Sequence, residues 1–151
     1  MNITIRRSDQ DDFTAILSLI KEFAVFQKTP EKVTITLEQM EKERELFESF
    51  VAETAENKII GFASFYFTFF SWSGKGMFLD DLYVTEFYRH QKIGSRLLNA
   101  VIKLAKEEGC KKMRWQVSGW NENAIGFYKS IGATIDAVEI NCNLDLIDVS
   151  G

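Results

Sequence analysis

The 151-residue chain predicts a single domain of the α/β (α+β) class, with a mixed central sheet flanked by helices. Three observations carry that expectation. Strand-like segments come first and interleave with helix-like ones late in the chain. Apolar residues recur at helical spacing in two long segments, and alternate or run continuously in the segments between. No repeat, linker or low-complexity stretch breaks residues 1–151, a length that suits one substantial core.

The elements follow in order. "NITIRR" alternates Ile3 and Ile5 and reads as a strand. Ser8 or Asp9 can cap a helix whose apolar stripe is Phe13, Ile16, Leu17, Ile20 and Phe23. "TLEQMEKERELFESF" reads as a second, charged helix, either a solvated face or an acidic rim that attracts a cation. "FVAETAENKIIGFASFYFTFF" reads as two strands around the turn "ENK", the second buried on both faces. "GMFLDDLYVT" is a third strand, after the turn "SWSGKG". A basic loop then opens a helix with Ile93, Leu97, Val101 and Leu104 on one face, closed by Gly109. "KKMRWQVSGW" reads as a strand, "NENAIGFYKSIG" as a short helix ending at Gly132, and "ATIDAVEINCNLDLI" as the last strand or strands.

Composition narrows the function. A net charge of −4 speaks against general nucleic-acid binding, which calls for a basic surface. Two cysteines and one histidine supply neither a disulfide framework nor metal-ligand spacing, so no metal is expected. "FTAILSLI" lacks the basic lead of a signal peptide, and "FASFYFTFFSW" is too short to span a bilayer, so a cytoplasmic protein without membrane attachment is expected.

Four side chains in "YRHQKIGSRLL" are basic or potentially so: Arg89, His90, Lys92 and Arg96. They stand where a helix dipole is already positive. Such a cluster is either a bland solvated helix start or a site for an anion, bound by free N–H groups near Gly94. It is neither a P-loop nor a dinucleotide fingerprint. Asp80 and Asp81 are unusual within a strand. Neighbouring strand residues face opposite sides, so these two are not expected to act as a pair on one face. Tyr128 shares a helix side with Ala124 and Ile131, and is either core or a proton donor to a departing anion.

Together these pieces resemble the GNAT acetyltransferase family, and within it the spermidine/spermine and thialysine N-acetyltransferase group. The resemblance is strongest from "IIGFASFYFTFFSWSGK" through "LDDLYVTEFYRHQKIGSRLL" to "WNENAIGFYKSIGA", with "LIKEFAVFQ" near the amino end. It implies the GNAT fold, a homodimer, and direct transfer of the acetyl group of acetyl-CoA to a primary amine of a small molecule, diamine/polyamine-like or thialysine-like. In its terms acetyl-CoA lies against Leu82, Tyr83 and Val84. Its pyrophosphate rests on Arg89, His90, Gln91, Lys92, Ile93, Gly94 and Ser95, and Asn121 and Ala124 lie along its other side.

The resemblance also assigns roles. Asp80 would help deprotonate the amine, and Tyr128 would protonate the leaving thiolate. Phe26, Gln27, Phe70, Trp72 and Trp115 would join Asp80 in lining the acceptor channel. Gln27 and Phe70 replace acidic residues of the polyamine enzymes, so polyamines are expected to be poor acceptors. Lys92 stands where the family's loop has its middle glycine, a position a lysine fills only at negative φ or under strain. Two other readings are a protein or peptide N-acetyltransferase and a non-catalytic acyl-CoA-binding module.

Overall fold

The structure, a computed structural model, describes residues 2–146. Its sheet has five strands in the order β1 (Ile3–Arg7), β2 (Glu48–Thr54), β3 (Ile59–Phe70), β4 (Gly74–Val84) and β5 (Met113–Arg114). The first four run antiparallel in sequence order, and β5 joins β4 in parallel. The helices are α1 (Phe13–Phe26), α2 (Leu37–Lys42), α3 (Ile93–Glu107) and α4 (Glu122–Ser130). The mixed α/β class is as the sequence predicts. The chain divides into two compact units, Met1–Gln116 with the sheet and α1–α3, and Val117–Gly151 with α4.

The sheet separates two packing faces. Val51, Phe62 and Tyr83 lie directly opposite one another across β2, β3 and β4, so they share a face. That face is covered by Phe13, Ile16 and Leu19 of α1 and Met40 of α2. The other face meets α3, where a Cβ on Gly61 would come within 3.3 Å of Leu97. The absence of that Cβ lets α3 sit close to the sheet. The buried stripe of α3 is Ile93, Leu97, Leu98, Val101 and Ala105; Leu104, expected on it, is only half-buried.

Four sequence readings are corrected. The second helical segment yields only the six residues of α2, and Glu48–Phe50 pair instead as the start of β2. There the period-two ladder between β1 and β3 prevails over helix propensity. The third strand starts at Gly74, inside the segment read as a turn. The segment "KKMRWQVSGW" gives a strand of two residues. Residues 133–146 form no strand; Val138, Ile140, Leu144 and Leu146 are exposed, and Ile147 lies outside the described residues.

One polar cluster ties β1, β2 and α1 together. Arg6 donates from Nη1 and Nη2 to the two oxygens of Asp12 at 2.8 and 2.9 Å, and from Nε to Glu53 at 3.1 Å. Asp12 also accepts the Asp9 N–H at 2.8 Å, closing a capping box ahead of α1. The Arg6 hydrogen bonds hold the Asp12 carboxyl below its ordinary range. We expect Arg6→Met to lower the unfolding free energy by about 2 kcal/mol, the scale of hydrogen bonds to a charged group. The contribution of Asp12 should be whole above about pH 4, its unfolded range, and fade as pH falls through the lower folded value. Urea titrations of both proteins between pH 3 and 7 check both statements, with the difference between them shrinking at the acid end.

Candidate active site

The ladder between β3 and β4 is interrupted at one place. Asp81 stands opposite Ser64, but the next residue of β3, Phe65, stands opposite Leu79. Asp80 is therefore an extra residue in β4, a β-bulge. Opposed residues share a face, so Asp81 lies on the face of Ser64, and Phe78 on that of Tyr66. Asp80, two residues from Phe78, joins them. Both carboxylates thus face the α1 side, contrary to the expectation from strict alternation.

The charges of the site agree with that placement. Burial pushes the Asp81 carboxyl up to about 7, the Asp80 charge adds to the shift, and a long Ser64 hydroxyl contact at 3.5 Å partly offsets it. Asp80 keeps solvent access, yet partial desolvation raises its carboxyl too. Burial raises the Tyr66 phenol, which stacks on Phe78 at 5.2 Å between centroids, and the Asp80 charge adds to that shift.

Asp81 lines a cleft of about 220 Å³ with Ile20, Phe23, Ala24, Gln27, Thr29, Lys32 and Val33. The end of α1 shapes it. Lys28 adopts φ 64°, the Lys28 N–H donates to the Val25 carbonyl, and the Thr29 N–H donates to that of Ala24. This paired closure satisfies the last carbonyls of α1 and turns the chain back on itself. Pro30 then starts the single 3-10 turn that carries Lys32.

Beside the cleft, Tyr83 donates its hydroxyl proton to Glu22 of α1 at 2.6 Å and stacks on Phe23 at 4.9 Å. Burial and that carboxylate hold the Tyr83 phenol up at about 12. Arg89 places its guanidinium over Phe26 at 4.6 Å and over Tyr83 at 5.3 Å, and its Nε donates to the Val84 carbonyl. Arg96 donates to the Ile3 carbonyl at 2.8 Å. Two of the four basic side chains in this stretch are therefore structural. His90, Gln91 and Lys92 stay exposed at the start of α3.

The loop keeps its glycine-like geometry without the glycine. Lys92 caps α3 at φ 62° and His90 lies at φ 64°. This strains both residues, since an L side chain at positive φ crowds the backbone. The parallel ladder of β4 with β5 ends at Phe78, so from Leu79 to Val84 the outer edge of β4 pairs with no described strand. An open strand edge leading into the first N–H groups of a fifteen-residue helix remains.

The acetyltransferase (GNAT) family model matches residues 11–133. This chain belongs to the acetyltransferase (GNAT) family. It is 32% identical to a thialysine N-epsilon-acetyltransferase of Bos taurus over 87% of this chain and 84% of the relative. A spermidine/spermine N(1)-acetyltransferase-like protein of Homo sapiens is 32% identical over 85% of this chain and 20% of its own length. A Clostridium acetobutylicum acetyltransferase solved with acetyl-CoA shares the fold, with TM-score 0.77 and 20% identity over 94% and 96% of the two chains.

The GNAT chain is thus an acetyl-CoA-dependent N-acetyltransferase. Its residues fit that cosubstrate. The open edge of β4 can pair with an amide-bearing arm, and the α3 N-terminus with Lys92 suits phosphate. Among the described residues no group of three or more His, Cys, Asp or Glu side chains could hold a metal ion.

The second unit carries the remaining residues of interest. The Asn121 side chain caps α4 by accepting the Ala124 N–H at 3.2 Å. Tyr128 is buried, and burial raises its phenol above the usual value. The structure brings together Phe26, Tyr83 and Arg89, and separately Gln27 and Asp81. It gathers neither Phe70 nor Trp72 with them. The Phe70 ring lies where a side chain on Gly76 would be and sits under Arg114 at 4.7 Å, while Trp72 is wholly exposed. Trp115 is half-buried just beyond β5. Glu22 and Lys32 are residues beside the cleft that pattern reading missed, because their signal is three-dimensional. Asp81 was singled out with Asp80 as unusual within a strand, but the role at the amine was given to Asp80.

Two outcomes follow. In ¹³C NMR the Asp81 carboxyl should titrate near pH 7, and Asp80→Asn should move that titration to lower pH by removing a like charge. Lys92→Gly should raise stability by about 1 kcal/mol through relief of the left-handed conformation and weaken CoA binding. Thermal melts and calorimetry read the two effects separately.

Proposed function

We propose that this enzyme acetylates a primary amine of a small molecule. The observation that carries the reading is the bulge, which sets two carboxylates with raised pKa values on the face that lines a small cleft. Support comes from relatives named for thialysine and for spermidine/spermine.

An alkyl ammonium, with a pKa near 10.4, is neutral in about one molecule in a thousand or fewer at pH 7. Asp81, on the cleft side, holds the ammonium. Asp80, reached by solvent, takes its proton and passes it to water. Leu82, Tyr83 and Val84 run along the acetyl-bearing arm, and backbone N–H groups near Leu82 polarise the carbonyl. Ile93, Gly94 and Ser95 offer N–H groups to the pyrophosphate, and exposed His90, Gln91 and Lys92 border it. Arg89 acts from behind, pinning the loop to Tyr83 and Phe26. The family resemblance assigns Asn121 and Ala124 to the other side of the arm.

The amine nitrogen bonds to the acetyl carbon as the carbon–sulfur bond breaks. The electron pair leaves with sulfur, and the family resemblance assigns the proton delivered there to Tyr128, whose phenol burial raises above its usual value. The proton lost by the amine later restores the phenol through water. Phe26 and Gln27 border the acceptor, while Phe70 and Trp72 stand apart from it.

Free-thiol release from acetyl-CoA with a panel of small amines tests the activity. Transfer to at least one is expected, and silence across the panel with transfer to a peptide amine would contradict it. Tyr128→Phe should lower kcat by roughly 10²-fold or more with little change in CoA affinity; an unchanged rate would assign Tyr128 to packing alone.

A further inference from the structure

The cleft beside α1 has room for an amine and little more. At about 220 Å³ it is smaller than the roughly 300–1,000 Å³ of pockets for drug-sized ligands. On the other side of the two carboxylates the same face of the sheet continues toward the β3–β4 turn. Its first residues there are Tyr66 and Phe78, directly opposite each other in the ladder. Their rings stack at 5.2 Å between centroids, with 19° between the planes. α1 packs over Val51, Phe62 and Tyr83. The stacked pair lies beyond that cover, with Tyr66 43% exposed and Phe78 half-buried.

Asp80 joins this pair to the chemistry. It is two residues from Phe78, a Cα separation of at most about 7 Å at 3.4 Å per residue. Its charge reaches the Tyr66 phenol. Beyond the rings the strip turns cationic. Arg114 stands opposite Phe78 in the β4–β5 ladder, and its guanidinium lies over the Phe70 ring at 4.7 Å. The Lys112 ammonium lies 5.9 Å from the same ring. The bulge lines the strip up. Under strict alternation Asp80 and Phe78 would share a face and Asp81 would leave it; with the extra residue both carboxylates stand at the end of the aromatic pair.

Carboxylates, stacked rings and cations in one line select against most amines. A second ammonium at the far end of an acceptor would be carried toward Arg114 and Lys112, a like-charge contact. A carboxylate beside the reacting amine would face Asp80 and Asp81. A flat apolar ring on a short link meets neither cost, and it can lie in offset or edge contact with the exposed Tyr66 ring. We propose that the acceptor is an arylalkylamine, its ammonium at Asp80 and Asp81 and its ring on the Tyr66–Phe78 pair, which makes these two aromatics the specificity-determining residues of the acceptor site. The inference rests on the small-amine reading above and adds the chemistry of the acceptor's body.

The test measures thiol release from acetyl-CoA with phenethylamine and with 2-cyclohexylethylamine, which keeps the link and the bulk but has no π system. Lysine and putrescine serve as non-aromatic competitors. The wild type should favour phenethylamine over its saturated analogue in kcat/KM by about three- to tenfold, the worth of an aromatic pair. In Tyr66→Leu and Phe78→Leu, with folding checked by circular dichroism, that ratio should fall toward one through a higher KM for phenethylamine. Tyr66→Phe, which keeps the ring, should retain it. Equal use of phenethylamine and its saturated analogue by the wild type would overturn the inference without recourse to any variant. A ratio indifferent to both leucine substitutions would overturn it as well. A preference for lysine or putrescine over phenethylamine would overturn it while leaving the small-amine reading in place. No release with any small amine would remove both.

Discussion

One extra residue in β4 sets the geometry of everything else at the site. A strand that alternates strictly would send Asp80 and Asp81 to opposite faces, one toward α1 and one toward α3. The bulge puts both toward α1. It also falls immediately after the last pair between β4 and β5, at Phe78. A bulge bends its strand and increases local twist, which fits a sheet whose last two strands part there. The same irregularity therefore supplies the acid pair and the open backbone edge. Burial then tunes the pair, because two carboxylates that feel each other in a half-dry cleft cannot both ionise readily.

The basic loop plays a different part from the one its composition suggests. Arg89 and Arg96 fasten the start of α3 to β4, to α1 and to β1. The Tyr83–Glu22 hydrogen bond runs from β4 to α1 alongside them. The helix that follows the basic loop and the helix that walls the cleft are thus held to one strand. Strain at His90 and Lys92 is tolerated because these neighbours determine the loop from both sides.

Much of this was legible in the residues. Long apolar periods located α1 and α3, alternation located β1, and a continuous apolar run located β3, because burial of one face or of both writes itself into the sequence. Local chemistry marked the ends: Gly109 and Gly132 close α3 and α4 at positive φ, and Asn121 caps α4. What was not legible depends on pairing partners. A bulge adds a residue without changing the hydrophobic count around "FLDDLY", so alternation could not reveal it. The length of β5 is set by where β4 departs, not by its own side chains. The helical period in "TLEQMEKERELFESF" continued past the point where β1 and β3 claimed Glu48 to Phe50. Lys32 entered the cleft only through a left-handed turn at a lysine, a residue that does not advertise one.

Removing the bulge tests the account most directly. A chain lacking Asp80 keeps every pair of the β3–β4 ladder, since Asp81 opposite Ser64 and Leu79 opposite Phe65 become consecutive. The account predicts that this deletion within a central strand still folds, with a cooperative thermal melt and native circular dichroism, and has lost acetyl transfer to every amine the wild type uses. An unfolded chain would show Asp80 to be an ordinary member of the ladder. A folded chain with wild-type transfer would show that the bulge has no part in the chemistry.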